Sequence, residues 1–178
     1  MKKILAFAGS NSSVSINQKL VTYAATQIPS DLVDVISLRD FEMPMYSHDY
    51  EESQGVPHNT KKLNKEISKY DYLMISVNEH NGGLSAFFKN CMDWLSRNDR
   101  NFLAGKKLFI LSTSPGQGAA NMANDYAVEV LPRFGADIVS SFALASFGDS
   151  FSEKDGITDE AQNKAFRKAL DTFINEIK

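Results

Sequence analysis

The stretch Asn78-Glu79-His80-Asn81-Gly82-Gly83 joins an apolar run at 73–77 to an amphipathic segment that begins near Ala86. A polar, glycine-rich turn of this kind exposes backbone N–H groups at a helix N-terminus, where they bind anionic or strongly polar ligand edges. Its two glycines also serve tight-turn geometry. His80 is either a flat neighbour for a ligand ring or a solvent-facing turn residue. A second loop of similar character is Gly9-Ser10-Asn11-Ser12-Ser13-Val14-Ser15-Ile16-Asn17, whose four serines and two asparagines surround a helix start without any Lys or Arg. Hydroxyls, amides and helix N–H groups can wrap a phosphate without basic side chains, and the same residue types are the ordinary helix caps. The third loop is Ser112-Thr113-Ser114-Pro115-Gly116-Gln117-Gly118-Ala119-Ala120. Its small residues let backbone approach a flat ligand closely, while Pro-Gly is equally an everyday turn pair. The chemistry on offer is the binding of phosphate and of polar ring edges. No acid–base pair or activated nucleophile is evident, so no catalytic residue is assigned.

Those loops need elements to hold them. Short apolar runs at 3–8, 33–37, 72–77, 108–112 and 137–142 alternate with helical patterns at 17–26, 59–69, 86–96 and 119–134. A last helix is expected from 159 to 177, with Thr158 as its N-cap and Asp159 and Glu160 favouring the positive end of the dipole. Runs such as Ile4-Leu5-Ala6-Phe7-Ala8 lack in–out alternation, as strands buried on both faces do. Alternating strands and helices imply parallel order with right-handed crossovers, hence one doubly wound α/β domain over residues 1–178. Parallel strands put their C-terminal ends on one side, so the three loops converge there. Such a crevice is where open α/β sheets bind ligands.

Composition narrows the function. Apolar residues make up 43% and charged residues 23% of the 178-residue chain, as in soluble globular proteins. A net charge of −3 without a basic run argues against nucleic acid and anionic membranes. The basic start Met1-Lys2-Lys3 is followed by an apolar run too short for a signal peptide's core of roughly 7–15 residues. No stretch approaches the ~20 apolar residues of a membrane span. Cys91 is the single cysteine, so no internal disulfide forms and a reducing cytoplasm fits. It reads as buried core, and Lys89, Asp93 and Arg97 as surface ion pairs at i, i+4 spacing. The three histidines lack metal-ligand spacing, so no metal is assigned. Residues 38–57 look irregular, and their Phe41, Met43, Met45 and Tyr46 are too apolar for open solvent. A subunit contact explains them better than a lid over the site.

The loops resemble those of the NADPH-dependent FMN reductases, flavodoxin-like flavoproteins that include quinone, azo-dye and chromate reductases. That family's first loop commonly reads GSxRxxSxN, matched here at Gly9, Ser10, Ser15 and Asn17. Its second reads close to PEYNxSxPxxLKNAIDWxSR, matched at Glu79, Asn81, Lys89, Asn90, Asp93, Trp94, Ser96 and Arg97. Ser114-Pro115-Gly116-Gln117-Gly118 fits the third, and Met43-Pro44-Met45-Tyr46 fits a further apolar stretch. Neither GxGxxG nor GxxxxGK[ST] is present. The resemblance implies a five-stranded parallel sheet in order 2-1-3-4-5 with helices on both faces. It implies FMN as cofactor, with Gly9, Ser10, Ser12, Ser15, Ile16 and Asn17 at its phosphate. Asn78, Glu79, His80, Asn81, Gly82 and Gly83 would line the isoalloxazine, and Ser114, Pro115, Gly116, Gln117 and Gly118 its other edge. Four positions depart: Ser12 stands where the family has arginine, His80 where it has tyrosine, and Asn78 and Ser85 where it has prolines. Loss of that arginine removes a cation that could favour NADPH over NADH.

The implied activity is ping-pong electron transfer from NADPH or NADH through FMN to a small acceptor, in a homodimer or homotetramer. FMN would carry the chemistry, which is why no catalytic side chain is required. Flavodoxin-like electron carriage without a nicotinamide site is the alternative, as is a flavin-free interaction module that keeps only the fold.

Overall fold

The computed structural model describes residues 3–177; Met1, Lys2 and Lys178, at the ends of the expected 1–178 domain, lie outside the described residues. The elements run β1 (Ile4–Ala8), α1 (Ile16–Thr26), β2 (Val33–Val35), a 3-10 turn (Leu38–Phe41), α2 (His48–Gln54) and α3 (His58–Ile67). Then come β3 (Tyr72–Val77), β4 (Glu79–His80), β5 (Gly83–Leu84), α4 (Ala86–Asn98), β6 (Lys107–Thr113) and α5 (Asn121–Val130). A 3-10 turn (Leu131–Phe134) leads to β7 (Asp137–Leu144), α6 (Phe147–Ser150), β8 (Phe151–Ser152), β9 (Gly156–Ile157) and α7 (Glu160–Ile174).

Five strands pair in parallel in the order β2-β1-β3-β6-β7. Counting only the strands of this sheet, that is the expected 2-1-3-4-5. Every residue of β1 and β3 is buried, which is why neither alternates in sequence. Successive side chains of β1 enter opposite layers. Ile4, Ala6 and Ala8 pack with α1 and α7, against Leu20, Ala24, Phe166 and Phe173. Leu5 and Phe7 pack with the α3, α4 and α5 layer, against Leu63, Phe88, Trp94 and Ala127.

Several boundaries differ from expectation. α7 takes Asp159, not Thr158, as N-cap, because the Asp159 carboxylate accepts from Gln162 N–H. α5 begins only at Asn121, since Ala119 and Ala120 adopt left-handed backbone at φ 54° and 60°. The 38–57 region is largely ordered: Phe41 and Met43 are core, and Tyr46 packs edge-on to Trp94 at 5.0 Å. Of its four apolar residues only Met45 stays exposed. α4 holds this strap down, Asn90 accepting from Tyr46 N–H at 2.7 Å while Asn90 and Trp94 both donate to the Pro44 carbonyl. The i, i+4 spacing of Asn90 and Trp94 puts both donors on one helix face.

Candidate functional site

β1, β3 and β6 are neighbours in the sheet, so the loops that follow them meet. One buried amide fastens all three. Asn17 Oδ1 accepts from the Ser76 hydroxyl (2.8 Å) and from Thr113 N–H (3.1 Å), while its Nδ2 donates to the Thr113 carbonyl (3.1 Å). The start of α1 is thereby tied to the ends of β3 and β6. The Asn17 side chain is thus a clamp, and what this residue offers a ligand is its backbone N–H. Ser76 was not singled out in sequence and Thr113 entered only as part of the third loop; polar residues in otherwise apolar strands were the available signal.

The first loop is shaped by its own serines. Ser10 Oγ accepts from Ser12 N–H, Ser12 Oγ from Val14 N–H, and Ser15 Oγ caps α1 by accepting from Gln18 N–H. Each hydroxyl retains its proton to donate. Ile16 and Asn17, at the first two helical positions, have no intrahelical acceptor for their N–H groups. No acidic side chain occupies this first turn, so its dipole is open to an anion. Gly9 is needed for packing, since a Cβ there would lie 2.6 Å from the Phe88 ring.

The second loop differs from a simple lead into a helix. β4 and β5 pair as a hairpin whose two central residues, Asn81 (φ 53°) and Gly82 (φ 79°), are both left-handed. That is the two-residue turn that matches strand twist. α4 starts beyond it, and its N-cap is Ser85, 3% exposed. The Ser85 hydroxyl accepts from Phe88 N–H and donates to the Gly9 carbonyl at 2.9 Å, joining the first two loops. A proline could make neither bond. Glu79 accepts from Ala123 N–H at 3.2 Å and so caps α5, whose own cap position, Ala120, supplies no side-chain acceptor. His80 is exposed, with Nε2 3.3 Å from Asn78 Nδ2. Asn78 Oδ1 is buried with no partner among the described residues.

In the third loop Ser112 donates to the Ala119 carbonyl and receives Asn124 Nδ2, fixing the left-handed pair Ala119-Ala120. The carbonyls of Ser114 and Gly116 accept from Phe147 and Ser146 N–H groups. Pro115 and Gln117 stand on the exposed rim of this turn. Gly83, Gly116 and Gly118 have nothing within 4 Å of where a Cβ would be, and none has positive φ. Neither backbone conformation nor packing within the protein requires glycine at these three positions.

Two depressions flank the loops. One of about 630 Å³ is bordered by Gly82, Gly83, Leu84, Met122 and Tyr126. The other, about 580 Å³, begins at Ser10, Ser12 and Ser15 and runs along α1. Cys91 takes no part, being buried, and desolvation pushes its thiol up to about 12. Lys89 pairs with Asp93 at 2.6 Å, whereas Arg97 reaches Glu51 of α2 at 2.9 Å instead of continuing the helical series. Among the described residues, no helix is long and apolar enough to cross a membrane.

Comparison with known proteins agrees with this geometry. The chain is 27% identical over 157 residues to an uncharacterised protein of Mycoplasma pneumoniae, covering 84% of this chain and 90% of that one. It is 33% identical over 75 residues to a quinone reductase of Escherichia coli, covering 42% and 40% of the two chains. In three dimensions it resembles FerB of Paracoccus denitrificans, a flavoenzyme NAD(P)H:(acceptor) oxidoreductase, with a TM-score of 0.79 at 23% identity over 98% and 96% of the two chains. Residues 2–149 match the family described as NADPH-dependent FMN reductase. The chain belongs to that family.

Proposed function

We propose that the three loops bind FMN and that the chain delivers electrons from NAD(P)H to a small acceptor: a quinone, an azo compound, free flavin or a metal oxyanion. The observation that carries this reading is the clamped convergence of an open, carboxylate-free helix N-terminus with glycines that have nothing within 4 Å of a Cβ position. The phosphate falls to the Ile16 and Asn17 N–H groups and the hydroxyls of Ser10, Ser12 and Ser15. The ring falls to Asn78–Gly83 on one edge and Ser114–Gly118 on the other. The orphaned Asn78 Oδ1 supports this assignment, because a buried acceptor calls for an N–H donor such as a flavin pyrimidine edge carries. FMN, when bound, supplies the redox chemistry. The protein's share is to bind and orient, with hairpin N–H donors placed to favour negative charge on the ring. Reductant and acceptor are taken to use the crevice in turn, the ping-pong order. The similarity to a quinone reductase favours quinones among the acceptors.

Titrating the apoprotein with FMN tests the binding; no gain of the bound-flavin absorbance band would end the proposal. Stopped-flow reduction with NADPH and NADH separately tests the rest. With Ser12 in place of arginine, the two limiting rates at saturating nucleotide should differ by less than about tenfold, or 1.4 kcal/mol. Bound flavin that neither nucleotide reduces would instead favour an electron carrier. A cytoplasmic homodimer or homotetramer completes the proposal. Met122 and Tyr126, 63% and 41% exposed beside the hairpin, are the apolar residues a second copy would cover. A monomer in light scattering at micromolar concentration would remove that part.

A further inference from the structure

The 580 Å³ groove that begins at the first loop carries charge that the flavin reading leaves unused. Its volume falls in the range of about 300–1,000 Å³ typical of small-molecule sites. It leads away from the ring-binding loops, contains none of residues 78–83 or 114–118, and follows α1 from Ser15 to Gln27. That length is about 18 Å of helix, far more than one phosphate fills. Lys19, Arg39, Lys154 and Arg167 line it, against two carboxylates, Glu153 and Asp155.

Both carboxylates are engaged. Glu153 pairs with Lys19 at 2.7 Å, which holds its carboxyl below the usual range, and Asp155 accepts from the Ser152 hydroxyl. Arg39, Lys154 and Arg167 have no acidic partner among the described residues. Three uncommitted cations around one groove, in a chain of net charge −3, reverse the sign of the surface locally. The groove is also walled by design of the backbone. The β8–β9 ribbon closes against Tyr23 at Gly156, where φ is +75° and a Cβ would lie 2.0 Å from the ring. Thr22, Thr26 and Gln27 add hydrogen-bonding groups along the helix, and the Tyr23 and Phe151 rings, edge to face at 5.6 Å, add aromatic surface.

We infer that this groove is an adenosine-phosphate subsite, taking the nucleotide half of a dinucleotide beyond the phosphate held at the first loop. The inference rests on the flavin reading only in placing that first phosphate. A phosphate or pyrophosphate meets the cations, a ribose the threonines and amide, and a purine the aromatic surface. Two dinucleotides carry such a half: FAD, through the phosphate of its own flavin, and NADPH, through its 2′-phosphoadenosine end.

Calorimetry separates the sources. FMN, FAD and 5′-AMP are titrated into apoprotein, and 2′,5′-ADP into FMN-loaded protein. The test variants are the double change Arg39→Gln, Arg167→Gln and, separately, Glu153→Gln, all at exposed positions. The double variant should leave FMN affinity within about twofold while weakening FAD or 2′,5′-ADP by about tenfold or more, as charge-assisted contacts demand. Loss for FAD and 5′-AMP assigns the flavin dinucleotide; loss for 2′,5′-ADP alone assigns NADPH. Glu153→Gln frees Lys19 and should tighten the same ligand. Adenosine phosphates that bind wild type and double variant alike, or not at all, overturn the subsite. An equal loss of FMN overturns it too, because the cations then serve the flavin phosphate. Absence of FMN binding to the wild-type chain strikes the flavin reading instead, while 5′-AMP binding to apoprotein still decides the groove.

Discussion

The second and third loops both contain paired left-handed residues and paired glycines, yet they distribute them in opposite ways. In the hairpin after β3 the left-handed positions are Asn81 and Gly82, residue types that adopt that backbone readily. In the loop after β6 the left-handed positions are Ala119 and Ala120, while Gly116 and Gly118 sit in backbone any residue could take. Glycine answers to the turn at Gly82 and to empty space at Gly83, Gly116 and Gly118. The alanine pair costs about 1–3 kcal/mol per residue, tolerated because hydrogen bonds donated by Ser112 and Asn124 and one accepted by Glu79 fix the surrounding chain. Strain of that kind gathers at ligand sites, and it lies here beside two glycines with nothing within 4 Å of a Cβ position.

Four substitutions test that division. Gly118→Val should weaken FMN binding by about a hundredfold, near 2.7 kcal/mol, and leave the thermal midpoint almost unchanged. A large fall in Tm with FMN affinity intact would mean the glycine serves the fold after all. Gly82→Ala should show the reverse, losing about 1–2 kcal/mol of stability in denaturant titration, since φ is +79° and the new Cβ would meet Met122 at 3.3 Å. Ala120→Gly should gain about 1 kcal/mol by relieving the left-handed alanine; a loss would show that packing of its buried methyl outweighs strain. Smallest of the four, Glu79→Gln should cost about 0.5 kcal/mol by removing charge from the α5 N-terminus, an effect that added salt diminishes.

The parallel sheet was legible because apolar runs separated by helices admit few arrangements, while its strand order came from the resemblance. What escaped depends on partners distant in sequence. Asn17 carried a phosphate-loop motif, but its clamp partners stand 59 and 96 residues away. α2 buries no side chain and so left no periodic stripe, and the strap before it is held by Asn90 and Trp94, over 40 residues on. The apolar content of that strap suggested a subunit contact; most of it lies in the core of the same chain. The Asn81-Gly82 hairpin did have a local signature, which the adjacent amphipathic helix overshadowed. Nothing local marks Ala119-Ala120 as left-handed. The convergence of the three loops was readable from residue types and topology, whereas Ser85 and Glu79 revealed their tethering roles only through contacts across loops.

The Asn17 clamp has a consequence for how the protein meets its cofactor. Three segments that would otherwise wander independently are ordered when the chain folds, so little conformational entropy is left to lose when a ligand arrives. Folding and site assembly become one event. A change at Asn17 would therefore loosen three segments at once, which no change confined to a single loop would do.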